Sequence, residues 1–377
     1  MFGIDQISFY VPNYYLDVGL LSQADNTLGQ KKMNICPPDE DIVSMAANAS
    51  LRIVSKLSED ELNNIELLLF ATESGIDFSK SAGTYVHRLL NLPNRCRVLE
   101  LKQACYAGTA GLQLALTYLT QNPTKKALVI ASDVARYSLN TSAESSQGAG
   151  AVAMLLSANP RVLVLEPESG FYSEEVMDFW RPNYAREAFV NGKYSCEVYL
   201  DVLGKCWNDY SKLSGRNFND HDYFCYHTPV PKLAEIAHRR LAKINGIKLT
   251  TGIDLALEYG REVGNCYTAS LYIGIISLLE HSIDDLSNKR IGLYSYGSGC
   301  TGEYFCVKIL PNYQASLFTL EHKSMLNNRK SLSYSEYLEF YNFKLPEDGS
   351  NYSVPVYEKT GKFHLVGINM HQRIYAN

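Results

Sequence analysis

The sequence predicts a layered α/β fold, and three observations carry that expectation. Short apolar, β-branched runs alternate with helical patterns through the first half of the chain. Residues 106–120 are helical by length yet leave almost no polar face, the pattern of a helix buried on all sides. The same alternation returns in the second half, with a second nearly all-apolar helix over residues 269–280. Strands alternating with helices around a buried central helix indicate layers rather than a β-sandwich or a helix bundle.

Taken in order, residues 4–11, 65–71, 127–132 and 149–157 read as strands because β-branched and other apolar residues fill runs of strand length. Asp41 is placed to cap a helix whose apolar face includes Val43, Ala46, Ala47, Leu51 and Val54. Ser58 and Glu61 have the spacing of a capping box. In the second half, residues 223–227, 291–296 and 304–309 are the strand candidates. A boundary near residue 165 divides the chain into halves of 1–165 and 166–377, with 163–168 as a crossing segment. Past about residue 325 the chain turns polar and Tyr-rich, which reads as a peripheral extension with a final strand near 363–368.

At 377 residues the chain exceeds the usual size of one hydrophobic core, in keeping with two halves. Charged residues at 20% and the absence of low-complexity tracts argue that the whole chain folds. The first residues lack the basic start and cleavage pattern of a signal peptide, and no apolar run is long enough to span a bilayer. Nine cysteines without paired CxxC spacing argue for reduced thiols in the cytoplasm, with neither a disulfide framework nor a zinc site, so no metal is expected. A net charge of −5 disfavours non-specific nucleic-acid binding.

The most informative stretch is ELKQACYAGTAGLQ, residues 100–113, where a strand-like run ends at Cys105 and an apolar helical pattern begins. Free N–H groups and the positive end of the dipole at a helix start favour the thiolate, the reactive form of cysteine. Cys105 is therefore the candidate nucleophile, against the alternative of a small buried hydrophobe. Glu73 follows the run IELLLFAT directly, where desolvation at a strand mouth can raise a carboxyl toward the range of a general acid/base. His227 ends DYFCYH before Thr228-Pro229, Asn265 precedes the second apolar helix, and residues 296–299 form a Tyr-Gly-Ser-Gly turn after the strand IGLYS. Each has a bland counterpart: a solvated glutamate, a structural histidine, a helix cap and a simple tight turn.

Together these elements resemble one family closely. ATES around Glu73, ACYAGTAG around Cys105, SDVARY at 132–137, QGAGAVAM at 147–154, MDFWRP at 177–182, HTP at His227, VGN at Asn265 and YGSG at 296–299 fall in the order found in 3-hydroxy-3-methylglutaryl-CoA synthases. The likeness runs from about residue 4 to residue 310. It implies a thiolase fold, two similar αβαβα halves in five layers, and a homodimer. It also implies an acyltransferase with thioester substrates on CoA or phosphopantetheine and no further cofactor. By this resemblance Cys105 takes an acetyl group from a thioester donor, and Glu73 removes a proton from the acetyl methyl. The enolate then attacks the β-keto carbon of an acetoacetyl thioester, and hydrolysis frees the cysteine. His227 and Asn265 match residues that hold the acceptor thioester and its keto oxygen. The amides of Cys105 and Ser298 match an oxyanion hole, while Tyr137, Asp133 and Asp178 match polar residues that order the site. Lys232 matches a lysine at the pantetheine or phosphate end, and Arg239 and Arg240 extend it.

Glu73 separates this reading from a type III ketoacyl synthase, since decarboxylative condensation makes its own carbanion and needs no base there. A catalytically dead scaffold or carrier-binding module is disfavoured by the presence of Cys105, Glu73 and His227 together. Two branches of the family remain. GIDFSKSAGTYVH after Glu73, CYAGTAGLQ, CYHTP and YGSGC look like the synthases of polyketide β-branching, which act on acyl carrier proteins. The short ARYSLNTSAESSQGAG loop, DFWRP and the compact length look like bacterial mevalonate enzymes using acetyl-CoA and acetoacetyl-CoA. The polyketide-like motifs, together with a basic cluster of His238, Arg239, Arg240, Lys243 and Lys248 after Lys232 on an otherwise acidic chain, favour acidic carrier proteins as donors, against the alternatives that the cluster binds CoA phosphates or is a solvated helix face.

Overall fold

A computed structural model describes residues 1–248 and 252–376. The elements that place the site are β1 (Gly3–Tyr10), α1 (Ile42–Val54), β2 (Ile65–Ala71), β3 (Arg97–Leu101), α2 (Ala107–Gln121), β4 (Lys126–Val134), β5 (Ala149–Ser157) and β6 (Leu163–Ser173). They continue with α3 (Gly192–Ser214), β7 (Tyr223–Tyr226), α4 (Pro231–Ile244), α5 (Asp254–Val263), α6 (Ser270–His281), β8 (Arg290–Gly297), β9 (Thr301–Ile309) and α7 (Tyr334–Asn342).

The nine strands hydrogen-bond in the order β7-β8-β9-β6-β1-β5-β4-β2-β3. In the first half β2 and β4 are parallel, β4 and β5 antiparallel, and β5 and β1 antiparallel. The second half repeats this, with β7 and β8 parallel, β8 and β9 antiparallel, and β9 and β6 antiparallel. The halves meet edge to edge where Gly3 and Ile4 pair with Val164 and Leu163. Gly3 permits that junction, since a Cβ there would lie 1.9 Å from the Leu163 carbonyl oxygen. The central helices α2 and α6 cross-link the halves. Thr109 of α2 hydrogen-bonds Tyr272 of α6 at 2.7 Å and donates to Ser295 of β8 at 2.8 Å. This is the thiolase fold, an α/β architecture of two similar αβαβα halves in five layers.

The expected strands at 65–71 and 149–157 have those bounds, and the others shift by one to three residues. The capping box of Ser58 with Glu61 is formed, and Asp41 accepts from the amides of Val43 and Ser44. Three expectations need correction. The α2 helix is not buried all round, because Leu114 is 53% exposed along one side. Its neighbour β3 is the last strand of the sheet, so little covers that side, and Leu99 on β3 is exposed as well. Residues 163–168 are not a crossing segment but the start of β6 in mid-sheet. Glu166 and Glu168 disguise the strand, and the structure accounts for them as ion-pair partners of Arg216, Glu166 pairing with Arg290 too.

The third correction concerns the tail, which is not peripheral. Tyr337 and Tyr341 of α7 are buried with Leu16, Leu21, Met33 and Ile35, and Phe363, Leu365 and Tyr375 join the main core. The expected final strand is present as His364–Asn369, in a separate three-stranded sheet.

Candidate active site

Cys105 stands two residues before α2, on the turn between β3 and that helix. Ala104 is held at a φ of 43°, a left-handed conformation that an L side chain resists, so the surrounding packing must impose the turn. Gly297 supplies part of that packing. A Cβ there would lie 2.4 Å from the Gln103 carbonyl oxygen and 2.6 Å from the Tyr106 nitrogen, so the end of β8 presses directly on the nucleophile turn. Tyr106 and Gln113 anchor α2 to the second half, each donating at 2.7 Å to the buried carboxylate of Glu303 on β9.

The thiol of Cys105 donates to Glu73 Oε1 at 3.0 Å. Glu73 lies in the turn after β2, which Asp133 at the end of β4 holds together. Asp133 Oδ1 accepts from the Thr72 hydroxyl at 2.7 Å and from the amides of Glu73 and Ser74 at 2.9 Å each. Its Oδ2 accepts from the Thr268 amide at 3.1 Å and the Thr268 hydroxyl at 2.5 Å. One buried carboxylate thus ties the turn of Glu73 to the segment that carries Asn265. Arg181 donates to the Glu73 carbonyl oxygen.

Burial, and then the charge of Asp133, push the Glu73 carboxyl up to about 8. Burial, and then the charge of Glu73, push the Cys105 thiol well above its ordinary value. Both residues are partly accessible, yet burial is still the largest cause of each shift. The expectation of a thiolate stabilised by a helix start is therefore corrected: the resting group is a neutral thiol hydrogen-bonded to a carboxyl. The dipole effect is a fraction of a charge falling off within a turn, and it loses to desolvation and a carboxylate in contact.

An aromatic wall encloses the pair. Tyr137, Phe179 and Tyr267 meet edge to face with centroids 5.9–6.3 Å apart, and Cys105 packs against their cluster. The Tyr137 hydroxyl, kept neutral by burial, faces Tyr267 and Asn265 beside Cys105. Asn265 accepts at Oδ1 from the Tyr267 amide at 2.9 Å and from the Ser270 hydroxyl at 3.1 Å. Its amide NH2 faces the Tyr137 hydroxyl and keeps a second N–H to donate to a ligand. His227 is buried, and burial alone lowers its pKa to about 3, so it presents a neutral imidazole rather than a cation. Asp178 organises the turn at 296–299 from behind. It accepts from the Tyr296 hydroxyl at 2.8 Å, the Ser195 hydroxyl at 3.0 Å and the Gly299 amide at 2.9 Å.

Cys105, Tyr137, His227, Asn265 and Ser298 all line one cavity of about 580 Å³. Glu73 lies behind Cys105, and Asp133 and Asp178 act from outside the lining. Lys232, Arg239 and Arg240 are not part of the lining. Lys232 is half-exposed on α4 and pairs with Glu235 at 3.4 Å, while Arg239 and Arg240 face outward. His238 does not belong to the basic cluster. It is buried against the Tyr226 hydroxyl at 2.9 Å, and burial lowers its pKa to about 4, so it adds no charge near neutral pH.

The sequence reading missed Thr72, Ser74 and Thr268 as ligands of Asp133, and Phe179 and Tyr267 as the wall around Cys105. Phe179 lies in the quoted DFWRP motif. Nothing local marks Tyr267, whose φ of 44° is imposed by its setting. Among the described residues no group of three or more His, Cys, Asp or Glu is placed to hold a metal, and no helix is long and apolar enough to cross a membrane.

A thiol in contact with a carboxyl of raised pKa, facing a neutral imidazole and a side-chain amide, suits acyl transfer to sulfur followed by proton abstraction from the bound acyl group. Comparison with known proteins agrees. The family model described as hydroxymethylglutaryl-coenzyme A synthase N terminal matches residues 1–161, and its C terminal counterpart matches 163–254 and 239–353. A hydroxymethylglutaryl-CoA synthase of Enterococcus faecalis is 38% identical, covering 100% of this chain and 99% of its own length. A polyketide biosynthesis 3-hydroxy-3-methylglutaryl-ACP synthase of Bacillus subtilis is 37% identical over 89% of this chain and 86% of its own. Among solved structures, an HMG-CoA synthase complexed with CoA superposes with a TM-score of 0.93 at 35% identity, covering 100% of this chain and 99% of the other.

Proposed function

This chain belongs to the hydroxymethylglutaryl-coenzyme A synthase family and is a 3-hydroxy-3-methylglutaryl synthase, and from that premise we propose how its residues divide the reaction. The 3.0 Å contact between Cys105 and Glu73 inside the cavity carries the proposal. The Cys105 sulfur attacks the donor thioester, and the donor thiol departs with the proton that the Cys105 thiol gave up. Glu73 then takes a proton from the acetyl methyl. The enolate carbon forms a bond to the β-keto carbon of the acceptor thioester, whose keto oxygen takes up a proton to become the tertiary hydroxyl, while Glu73 gives up the proton it took and the proton count closes. Asn265 and His227 donate to the acceptor oxygens as charge develops, and the amides of Cys105 and Ser298 do so for the acetyl-enzyme. Tyr137 closes the wall beside them. Water cleaves the enzyme thioester, restoring the Cys105 thiol.

The two halves, 1–165 with Cys105 and Glu73 and 166–377 with His227, Asn265 and the turn at 296–299, contribute opposite sides of the site. A homodimer through β3 is supported by its unpaired outer edge and by exposed Leu99 and Leu114.

The substrates in this reading are thioesters on acyl carrier proteins. Lys232, Arg239 and Lys243 stand at i, i+7 and i+11 on α4, one side of the helix spread over about 16 Å. Arg240 is exposed next to them, and Lys248 follows beyond the helix end. Such a spread stripe suits an extended acidic protein surface. Compact CoA phosphates call for cations converging at the cavity, and among the described residues no lysine or arginine lines it. The alternative, acetyl-CoA and acetoacetyl-CoA, is favoured by the full-length match to the Enterococcus enzyme.

The test compares acetylation of Cys105 by acetyl-carrier protein and by acetyl-CoA at matched concentration, at low and high salt, and with Arg239→Glu and Arg240→Glu. Faster transfer from the carrier, weakened by salt and by both substitutions, is expected. Equal or faster transfer from acetyl-CoA, indifferent to both, moves the assignment to CoA.

A further inference from the structure

The loop that brings Tyr137 to the cavity is held by the C-terminal helix α7, and the hydroxyls of two tyrosines do the holding. Tyr341 donates from its hydroxyl to the Tyr137 carbonyl oxygen at 2.8 Å and contacts Glu187 Oε1 at 3.1 Å. Tyr137 lies in one stretch of cavity wall, and Glu187 directly precedes another. Tyr137, Ser138, Thr141, Ser142, Ala143 and Ser146 form one, and Ala188, Phe189 and Val190 form the other. Arg136 reinforces the joint, lying 3.7 Å from the centre of the Tyr341 ring and donating to the Tyr341 carbonyl oxygen. Tyr337 fixes the far end of the loop. Its hydroxyl accepts from Gln147 Nε2 at 2.9 Å and donates to Glu144 Oε1 at 3.0 Å. Gln147 Oε1 in turn accepts from the Tyr137 amide at 2.8 Å, and Glu144 Oε2 from the Asn140 amide at 2.6 Å.

The nucleophile turn is held by different contacts: Gly297 against residues 103 and 106, Tyr106 on Glu303, and Asp133 on the turn of Glu73. None of them passes through α7. The turns of Cys105 and Glu73 and the 137–147 loop therefore have separate hydrogen-bonded supports, although the Tyr137 ring also packs against Cys105. The first acyl group is bonded to Cys105 and so fixed by its turn, whereas the second has only the non-covalent wall to hold it.

We propose that Tyr341 and Tyr337 are positioning residues that clamp the 137–147 loop and thereby set the wall against which the acceptor thioester binds. The proposal rests on the two-substrate reading above. It assigns to the tail beyond residue 325 a part in the reaction, where the fold alone would need only its core packing.

The test uses the full-length enzyme with Tyr341→Phe, Tyr337→Phe and the double variant, which keep the buried rings and remove only the hydroxyls. Acetylation of Cys105 is followed by intact mass, condensation of pre-acetylated enzyme is measured against acceptor concentration, and hydrogen exchange is read at residues 137–147. Acetylation should be unchanged. The acceptor KM of the double variant should rise about tenfold, the scale of one to two net hydrogen bonds. Exchange should quicken in the loop and not in the amides of β1 or β5. An unchanged acceptor KM, an equal loss of acetylation and condensation, or unaltered loop exchange would each overturn the proposal. A wild-type enzyme that never condenses would sink the functional reading instead, and the exchange data would then decide the clamp by themselves.

Discussion

Removing the Glu73 carboxylate should separate the two half-reactions, and its effect on Cys105 can be worked from the contact between them. With Sγ and Oε1 at 3.0 Å, a thiolate and a carboxylate would stand about 4 Å apart between charge centres. At an effective dielectric near 20 their repulsion is about 4 kcal/mol, enough to hold the thiolate down strongly whenever Glu73 is ionised. Glu73 therefore suppresses the thiolate rather than generating it, in line with its place just after burial among the causes of the raised thiol pKa. In Glu73→Gln, which keeps the shape without the charge, Cys105 should be alkylated by iodoacetamide about twofold faster near pH 8, where half of wild-type Glu73 is ionised, and more than tenfold faster above about pH 9, where nearly all of it is. Acetylation from a thioester donor should persist in both Glu73→Gln and Glu73→Ala. Condensation should fall by about 10² to 10⁴, the usual loss for a missing general base. The pH dependence has a definite sign. A base must be ionised, so wild-type condensation should climb with pH to a plateau above about 8, whereas His227, neutral above about 3, should add no inflection near neutrality. Loss of acetylation in the Glu73 variants, with condensation of pre-acetylated enzyme retained, would refute these roles.

Three shorter predictions accompany it. Cys105→Ala should show no acetyl adduct by intact mass, even though Cys196 also lines the cavity; an adduct of undiminished yield would move the nucleophile elsewhere. Gly297→Ala drives a methyl group into backbone atoms at 2.4 and 2.6 Å, so acetylation should collapse even in protein that folds, and wild-type acetylation would show that the contact is dispensable. Glu40 is buried, donated to by the Tyr10 hydroxyl at 2.6 Å, and pushed up to about 8 chiefly by burial. Since the folded state holds its proton more tightly than the unfolded chain, the stability it contributes is full below about pH 4.5 and is lost as pH rises through about 8. Glu40→Gln should flatten the fall of Tm across that window, and an unaltered Tm profile would count against a protonated Glu40.

Much of the site was legible in the chain because its residues sit where local patterns change. Cys105 stands between a strand-like run and a helical one, Glu73 follows the end of β2, His227 follows β7, and Asn265 precedes α6. The resemblance turned those positions into roles. Legibility failed where the needed information was not local. Charge along α4 counted His238 with its arginine neighbours, while the fold buries it against Tyr226. Acidic residues in β6 hid a mid-sheet strand whose glutamates are answered by arginines roughly 50 and 125 residues away. Polar, Tyr-rich composition made the tail look peripheral, although its tyrosines hold the cavity wall.

The sequence by itself determined the alternation of strands and helices, the two central helices and the identity of the reacting side chains, because periodicity and motif order are properties of neighbouring residues. Only the tertiary structure decided their chemical state. Helix-start reasoning made Cys105 a thiolate, and the fold makes it a neutral thiol on Glu73, because desolvation and a charge in contact outweigh a partial dipole charge. The same holds for Asp133, which gathers Thr72, Glu73, Ser74 and Thr268 from segments some 60 and 135 residues distant. Pairings across such separations are fixed by how the sheets and central helices pack, and no local pattern encodes them.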